Sequence, residues 1–154
     1  AHAFPQHSAG RPSGGTAESL AALPVEALRA AHPRVHGLAC DVRDAEQVSR
    51  AIGEIEQAEG RLDILVNNSG IAVRAQPEDL TAAQWDSVVD VNLRAAFLAS
   101  KEAYPHMVKA GGGKIINVGS MYSIFGSNWG APYAASKGGL VQLTKSSDRS
   151  RESR

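Results

Sequence analysis

Apolar residues fall in short blocks along this chain, and the blocks alternate between strand-like runs and helix-like stripes. RVHGLACDV, Arg34 to Val42, is a dense apolar run that reads as a strand. Asp44, with Gln47 three residues on, is a variant capping box. It predicts a helix from Ala45 to Glu59 with Val48, Ala51, Ile52 and Ile55 on its apolar face. Gly60 marks the end of that helix. LDILVN, Leu62 to Asn67, is apolar almost throughout, as parallel strands covered on both faces are. Thr81 and Gln84 cap a further helix carrying Trp85, Val88 and Val89. A long helix is predicted from about Leu93 to Ala110, with Pro105 as a kink or early stop. GGGKIINVG, Gly111 to Gly119, reads as a glycine turn and a buried strand. A last helix starts near Pro132 and carries Ala134, Leu140, Val141 and Leu143.

Strand, helix, strand, helix, strand, helix implies right-handed parallel crossovers and a three-layer α/β sandwich. The ends do not join this pattern. Residues 1–24 mix Pro, Gly, Ser and His without a period and read as loop or disorder. Gly10, Gly14 and Gly15 follow no apolar strand, so they do not read as a phosphate-binding turn. A short helix is expected from Val25 to His32. After Lys145 no apolar residue remains, and residues 146–154 read as a disordered tail. The α/β domain is therefore placed at residues 25–145.

Composition narrows the function classes. Lys plus Arg and Asp plus Glu number 16 each, which offers no charge bias toward nucleic acid or a membrane surface. The single cysteine, Cys40, allows no internal disulfide and favours a reducing, cytoplasmic setting. It reads as a small buried residue. No apolar run is long enough to span a bilayer, and no signal peptide is visible.

The chemistry gathers in SMYSIFGSNWGAPYAASK, Ser120 to Lys137. Tyr133 and Lys137 are four residues apart, so they share one helix face. A phenol titrates near pH ~10, and an adjacent ammonium favours its phenolate. Ser120, at the carboxyl end of a strand, offers a hydroxyl to hold a substrate oxygen while the tyrosine transfers a proton. In open α/β sheets ligands bind at that end.

Asp41-Val42, Asn67-Asn68-Ser69-Gly70, Asn92 in VNLRAAF, Ser120, Tyr133 and Lys137 occur in an order and spacing that resembles the short-chain dehydrogenase/reductase family from about Val35 to Lys145. The stretch from Gly119 to Lys145 looks most like the gluconate, deoxygluconate and glucose dehydrogenase branch. Ser69 stands where the family usually has alanine, a small-for-small change.

The resemblance implies a partial Rossmann-type doubly wound parallel sheet. It implies an NAD(P)-dependent oxidoreductase that moves hydride between a nicotinamide (NAD or NADP) and a secondary alcohol or ketone, a sugar or sugar acid among the candidates. Tyr133 would be the general acid/base. Lys137 would lower its pKa and contact the nicotinamide ribose, and Ser120 would hydrogen-bond the substrate oxygen. Asn92 would interrupt its helix and help position a water in a proton relay with Lys137. Asp41 and Val42 would meet the adenine, and Asn68, Ser69 and Gly70 would form a turn under the adenosine ribose. No metal enters this reading. A homo-oligomer is expected, with Ala95, Ala96, Ala99 and Ala103 offering small residues for close helix approach. The family's T-G-x-x-x-G-I-G turn, its first two strands and its last strands find no counterpart, so the chain reads as a fragment. The alternative is an inactive remnant that only associates with full-length relatives.

Overall fold

The computed structural model describes residues 35–148, together with Ala30 and His32. The chain divides into two compact units, Ala1–Ala39 and Cys40–Arg154. In the first, Ala30 is helical, and the N–H of Val35 donates to the carbonyl of His32 at 3.0 Å. The rest of the expected helix from Val25 to His32, and the loop expected over residues 1–24, lie outside the described residues. So do residues 149–154.

The second unit carries the regular structure. Helix α1, Ala45–Glu59, begins at Asp44, whose Oδ1 accepts from the N–H groups of Glu46 (2.9 Å) and Gln47 (3.2 Å). Gln47 does not close the box as expected. Its Oε1 accepts instead from the N–H of Asp41 at 3.0 Å, tying the preceding turn to the helix. Gly60 ends α1 at φ 75°, a left-handed conformation that favours glycine. Strand β1, Ile64–Asn67, pairs in parallel with β2, Lys114–Asn117, with Leu65 opposite Ile115 and Asn67 opposite Asn117.

Between the strands, α2 spans Ala82–Val89 and starts with a complete capping box between Thr81 and Gln84. It runs without a break through a π-turn, Asp90–Arg94, into α3, Ala95–Lys109. A short 3-10 turn, Met121–Ser123, follows β2, and α4 spans Ala131–Ser146.

Several expectations change. The run at 35–41 forms no ladder, and Val42 and Arg43 make a turn, so among the described residues the sheet has two strands rather than three. A strand needs a neighbour to take its backbone hydrogen bonds, and this run finds none; Leu38 stays 45% exposed. Pro105 neither stops nor ends α3, which continues to Lys109. Ala103 and Met107, buried on either side of the proline, hold the helix to the core. Its real stop is the glycine turn: Gly111 has φ 88°, and the N–H of Gly112 donates to the carbonyl of Met107 at 2.9 Å. Ile55 and Trp85 are exposed rather than core.

The core packs Val48 and Ile52 of α1 against Leu62, Ala103 and Met107, with Leu65 and Ile115 of the strands beneath. Alternation along a strand puts Asn67 and Asn117 on that same sheet face. Asn67 Nδ2 donates to Asn117 Oδ1 (2.8 Å) and to Ser100 Oγ of α3 (3.2 Å). Asn117 Nδ2 donates to Thr144 Oγ1 of α4 (2.9 Å). The long helices α1, α3 and α4 thus cover one face of the sheet. On the other face Ile64, Val66 and Ile116 remain about half exposed.

Candidate active site

The site is built where β1, β2, the π-turn and α4 converge. An extra residue in the π-turn rotates Asn92 out of the helical stripe and inward, where it is 2% exposed. Both ends of its side chain are engaged. Oδ1 accepts from the N–H of Ile71 (2.8 Å), and Nδ2 donates to the carbonyl of Ile71 (2.9 Å) and to Ser136 Oγ (3.1 Å). Ser136, completely buried, donates onward to the carbonyl of Tyr133 at 2.8 Å. One side chain therefore joins the loop after β1 to the first turn of α4.

Lys137, one turn beyond Tyr133, is also buried, at 4% exposure. Its Nζ donates to the carbonyl of Val118 (2.6 Å) and lies 5.8 Å from the centre of the Tyr133 ring. Gly70 sits against both buried groups. A methyl added there would stand 3.5 Å from Asn92 Oδ1 and 3.8 Å from Lys137 Nζ. A longer side chain on the inner side would displace one of them.

Ser120 caps the 3-10 turn after β2. Its Oγ accepts from the N–H of Tyr122 (3.2 Å), while its own N–H donates to Ser123 Oγ (3.1 Å). The hydroxyl proton of Ser120 stays available to a ligand. Ser120 and Tyr133 line one open cleft of about 750 Å³, together with Tyr122, Trp129, Gly130 and Ala72–Arg74. Tyr122 meets Tyr133 edge to face, ring centres 6.1 Å apart and planes at 88°, which restrains the Tyr133 ring.

A second, smaller cavity of about 170 Å³ lies on the other side of Asn92. Val42, Asn68, Ser69 and Asn92 line it, with Cys40 and the inner faces of α1 and α3. Cys40 is half-buried rather than enclosed, and burial first, then the charges of Asp41 and Asp44, push its thiol pKa up. Asp41 does not line this cavity. Arg43 holds its carboxylate through Nε (2.9 Å) and Nη2 (2.6 Å), and these hydrogen bonds lower its pKa to about 2. Among the described residues no group of His, Cys, Asp and Glu could hold a metal ion, and no helix is long and apolar enough to cross a membrane.

The short chain dehydrogenase family model matches residues 14–153. The chain belongs to that family. The match reaches further toward both ends than the motifs alone do. The chain is 37% identical over 105 residues to the 3-oxoacyl-[acyl-carrier-protein] reductase FabG of Thermotoga maritima, covering 68% of this chain and 43% of that protein. It is 39% identical over 109 residues to the 2-dehydro-3-deoxy-D-gluconate 5-dehydrogenase of Formosa agariphila, covering 71% and 41%. Among solved structures, a candidate gluconate dehydrogenase from Agrobacterium tumefaciens superposes with TM-score 0.78 at 36% identity, covering 86% of this chain and 52% of that one. The chain thus spans about half the length of these relatives, and its α/β architecture is part of the family's Rossmann-type fold.

The family member's motif residues sort into two groups in space. Asn92, Lys137, Gly70, Ser120 and Tyr133 converge, while Val42, Asn68 and Ser69 border the small cavity on the far side of Asn92. Sequence reasoning missed Ser136 and the carbonyl of Val118. Ser136 was discoverable as a polar residue one turn after Tyr133 on the helix that carries Tyr133 and Lys137, though its bond to Asn92 was not. The Val118 carbonyl was not, since a backbone acceptor leaves no mark in the residue type.

Proposed function

We propose that the chain carries the proton-transfer residues of an NAD- or NADP-dependent oxidoreductase acting on a secondary alcohol or its ketone, on a substrate of sugar or sugar-acid type. The observation that carries the reading is the buried Lys137 ammonium 5.8 Å from the Tyr133 ring, in a phenol that opens on the same cleft as Ser120.

Each residue is assigned a task that its surroundings support. Ser120 accepts a backbone N–H and keeps its own hydroxyl proton, which it would donate to the substrate oxygen. Tyr133 takes the alcohol proton during oxidation and returns it during reduction. Lys137 holds a positive charge beside that proton transfer. Asn92, through Ser136, sets the turn of α4 that bears Tyr133.

A bound nicotinamide would supply the hydride acceptor or donor. The residues fit such a cofactor. Lys137 Nζ has three N–H donors and spends one on Val118, leaving donors for a ribose hydroxyl. Val42, Asn68 and Ser69, which border the small cavity on the far side of Asn92, are the residues that would meet the cofactor's nucleoside part.

The test is Tyr133→Phe in the active enzyme, followed by reduced-nicotinamide absorbance with either cofactor. General acid/base catalysis typically supplies ~10²–10⁴-fold, so turnover should fall by about that factor with cofactor affinity retained. Near-normal turnover would refute the assignment.

A homo-oligomer belongs to the same proposal, though through different residues than expected. Ala95, Ala96 and Ala103 are buried against the chain's own core. Their small size serves the close approach of α3 to the sheet. The outer stripe of α3 is instead Phe97, Tyr104 and Val108, each about half exposed.

A further inference from the structure

We infer that Tyr122 is a positioning residue that keeps the two reacting hydroxyls of the cleft, those of Ser120 and Tyr133, in register for proton transfer. The inference rests on the roles proposed for those two residues.

Ser120 and Tyr133 belong to different elements, the turn after β2 and the start of α4. A proton passes over a hydrogen-bond distance of about 2.6–3.2 Å, so a substrate oxygen held by Ser120 must also lie within that reach of Tyr133. The backbone of Tyr133 is fixed by α4 and by the buried bonds of Asn92 and Ser136. Its side chain is less constrained. Among the described residues no protein group hydrogen-bonds the Tyr133 hydroxyl, so the place of that oxygen is set through the ring. Two groups meet the ring. Lys137 Nζ lies 5.8 Å from its centre, and Tyr122 meets it edge to face at 6.1 Å.

Tyr122 holds Ser120 as well, through its backbone N–H, which donates to Ser120 Oγ at 3.2 Å. One residue therefore touches both hydroxyl-bearing side chains, one with its backbone and the other with its ring. That backbone is itself well fixed. The N–H of Ser123 donates to the carbonyl of Ser120 at 3.0 Å, and those of Ile124 and Phe125 donate to the carbonyl of Met121 at 3.1 Å and 3.0 Å. The turn also rests on α4, where a methyl added at Gly138 would stand 3.6 Å from the Ser123 carbonyl. Its side chains are not equivalent: Met121 is 75% exposed, whereas Tyr122 lines the cleft at 43%. An edge-to-face pair is an attraction with a preferred angle. Tyr122 thus limits the tilt of the Tyr133 ring, where an aliphatic side chain would fill space without setting an angle. Neither contact uses the Tyr122 hydroxyl, so phenylalanine should serve in its place.

The experiment uses the 154-residue chain with ring-labelled tyrosine, whose three tyrosine signals are assigned by substitution. The quantities read are the Tyr133 ring shift, its ring-flip rate and hydrogen exchange at the Tyr122 amide. In the wild type, magnetisation should transfer between the two rings; its absence overturns the inference without any variant. Tyr122→Leu keeps the backbone donor and removes the ring, so flips of Tyr133 should quicken by about twofold to tenfold. Tyr122→Phe should keep the wild-type rate. Ser120→Ala removes the acceptor of the Tyr122 N–H. It should quicken exchange at that amide and move the Tyr133 ring signal in the wild type and in Tyr122→Phe, but not in Tyr122→Leu. A Tyr133 ring indifferent to Tyr122→Leu refutes the ring contact, and an equal response to Ser120→Ala with leucine at 122 refutes the coupling. Either result leaves Tyr133 as the acid/base, which the turnover of Tyr133→Phe tests separately. Near-normal turnover there removes the role of Tyr122 even if the two rings are coupled.

Discussion

Removing the Asn92 side chain should loosen the join between the β1 loop and α4 by a predictable amount. Asn92→Ala deletes three hydrogen bonds, to the N–H and carbonyl of Ile71 and to Ser136 Oγ. Each is worth about 0.5–1.5 kcal/mol net. The Ser136 proton keeps its acceptor at the Tyr133 carbonyl, so that hydroxyl is not left orphaned. Ile71 is 42% exposed, and water can reach part of its freed backbone. The loss therefore belongs in the lower half of the summed range, about 2 kcal/mol. For a chain of this size that is a fall in melting temperature of about 4–8 °C.

Asn92→Asp sharpens the test. Its carboxylate still accepts from the N–H of Ile71 but faces the Ile71 carbonyl without a proton to donate. Burial makes the ionised form unfavourable, so the folded-state pKa is raised above the unfolded value. The deficit relative to wild type should then open as pH rises through the ordinary carboxylate range and shrink as pH falls below it. Calorimetric melts across pH, with hydrogen exchange at the Ile71 amide, measure both effects. A loss below about 0.5 kcal/mol for Asn92→Ala, or a pH-independent deficit for Asn92→Asp, would refute the reasoning.

Other expectations follow from single contacts. Gly113→Ala places a methyl 2.5 Å from Met107 Cγ and 2.8 Å from its Cβ, which cannot swing away, so overpacking should cost about 1–3 kcal/mol in urea unfolding. Thr81→Ala breaks the capping box of α2 and should cost about 1 kcal/mol, with Thr81→Ser nearly silent in the same assay. The Asp41 carboxyl should titrate at about 2 by NMR and return toward the ordinary carboxylate value in Arg43→Ala. Because the pairing depresses that pKa, its contribution is present above the ordinary carboxylate range and disappears as pH falls through about 2, and with both partners exposed it stays small. Light scattering of the purified chain should show a dimer or larger species, and Phe97→Glu with Val108→Glu should shift it to monomer; a clean wild-type monomer at tens of micromolar counts against the α3 surface.

Helix starts and stops were readable from the chain because they are decided by groups a few residues apart. Thr81 with Gln84, Asp44 before α1, Gly60 after it and the glycines after α3 each satisfy or release local backbone groups. The site motifs were readable for a related reason: Tyr133 and Lys137 share a helix face through spacing alone. The strand expected at 34–42 was not decided locally. Its apolar run is sufficient for burial, but a strand exists only with a hydrogen-bonded neighbour, and that depends on the rest of the sheet. Pro105 shows the converse, a local rule overridden by packing, since Ala103 and Met107 hold α3 in the core on both sides of it.

The joins within the site also needed three dimensions. Nothing in the order of residues says that Asn92 binds Ile71 rather than solvent, that Ser136 passes the contact to the turn of Tyr133, or that Lys137 ends on the carbonyl of Val118. These are contacts between segments far apart in the chain, and they form because the π-turn and the sheet bring buried polar atoms together where each must find a partner. The sequence determined which residues can do proton chemistry; the packing of β1, β2, the π-turn and α4 decided which of them meet, because a buried hydrogen bond is set by position in space and not by separation along the chain.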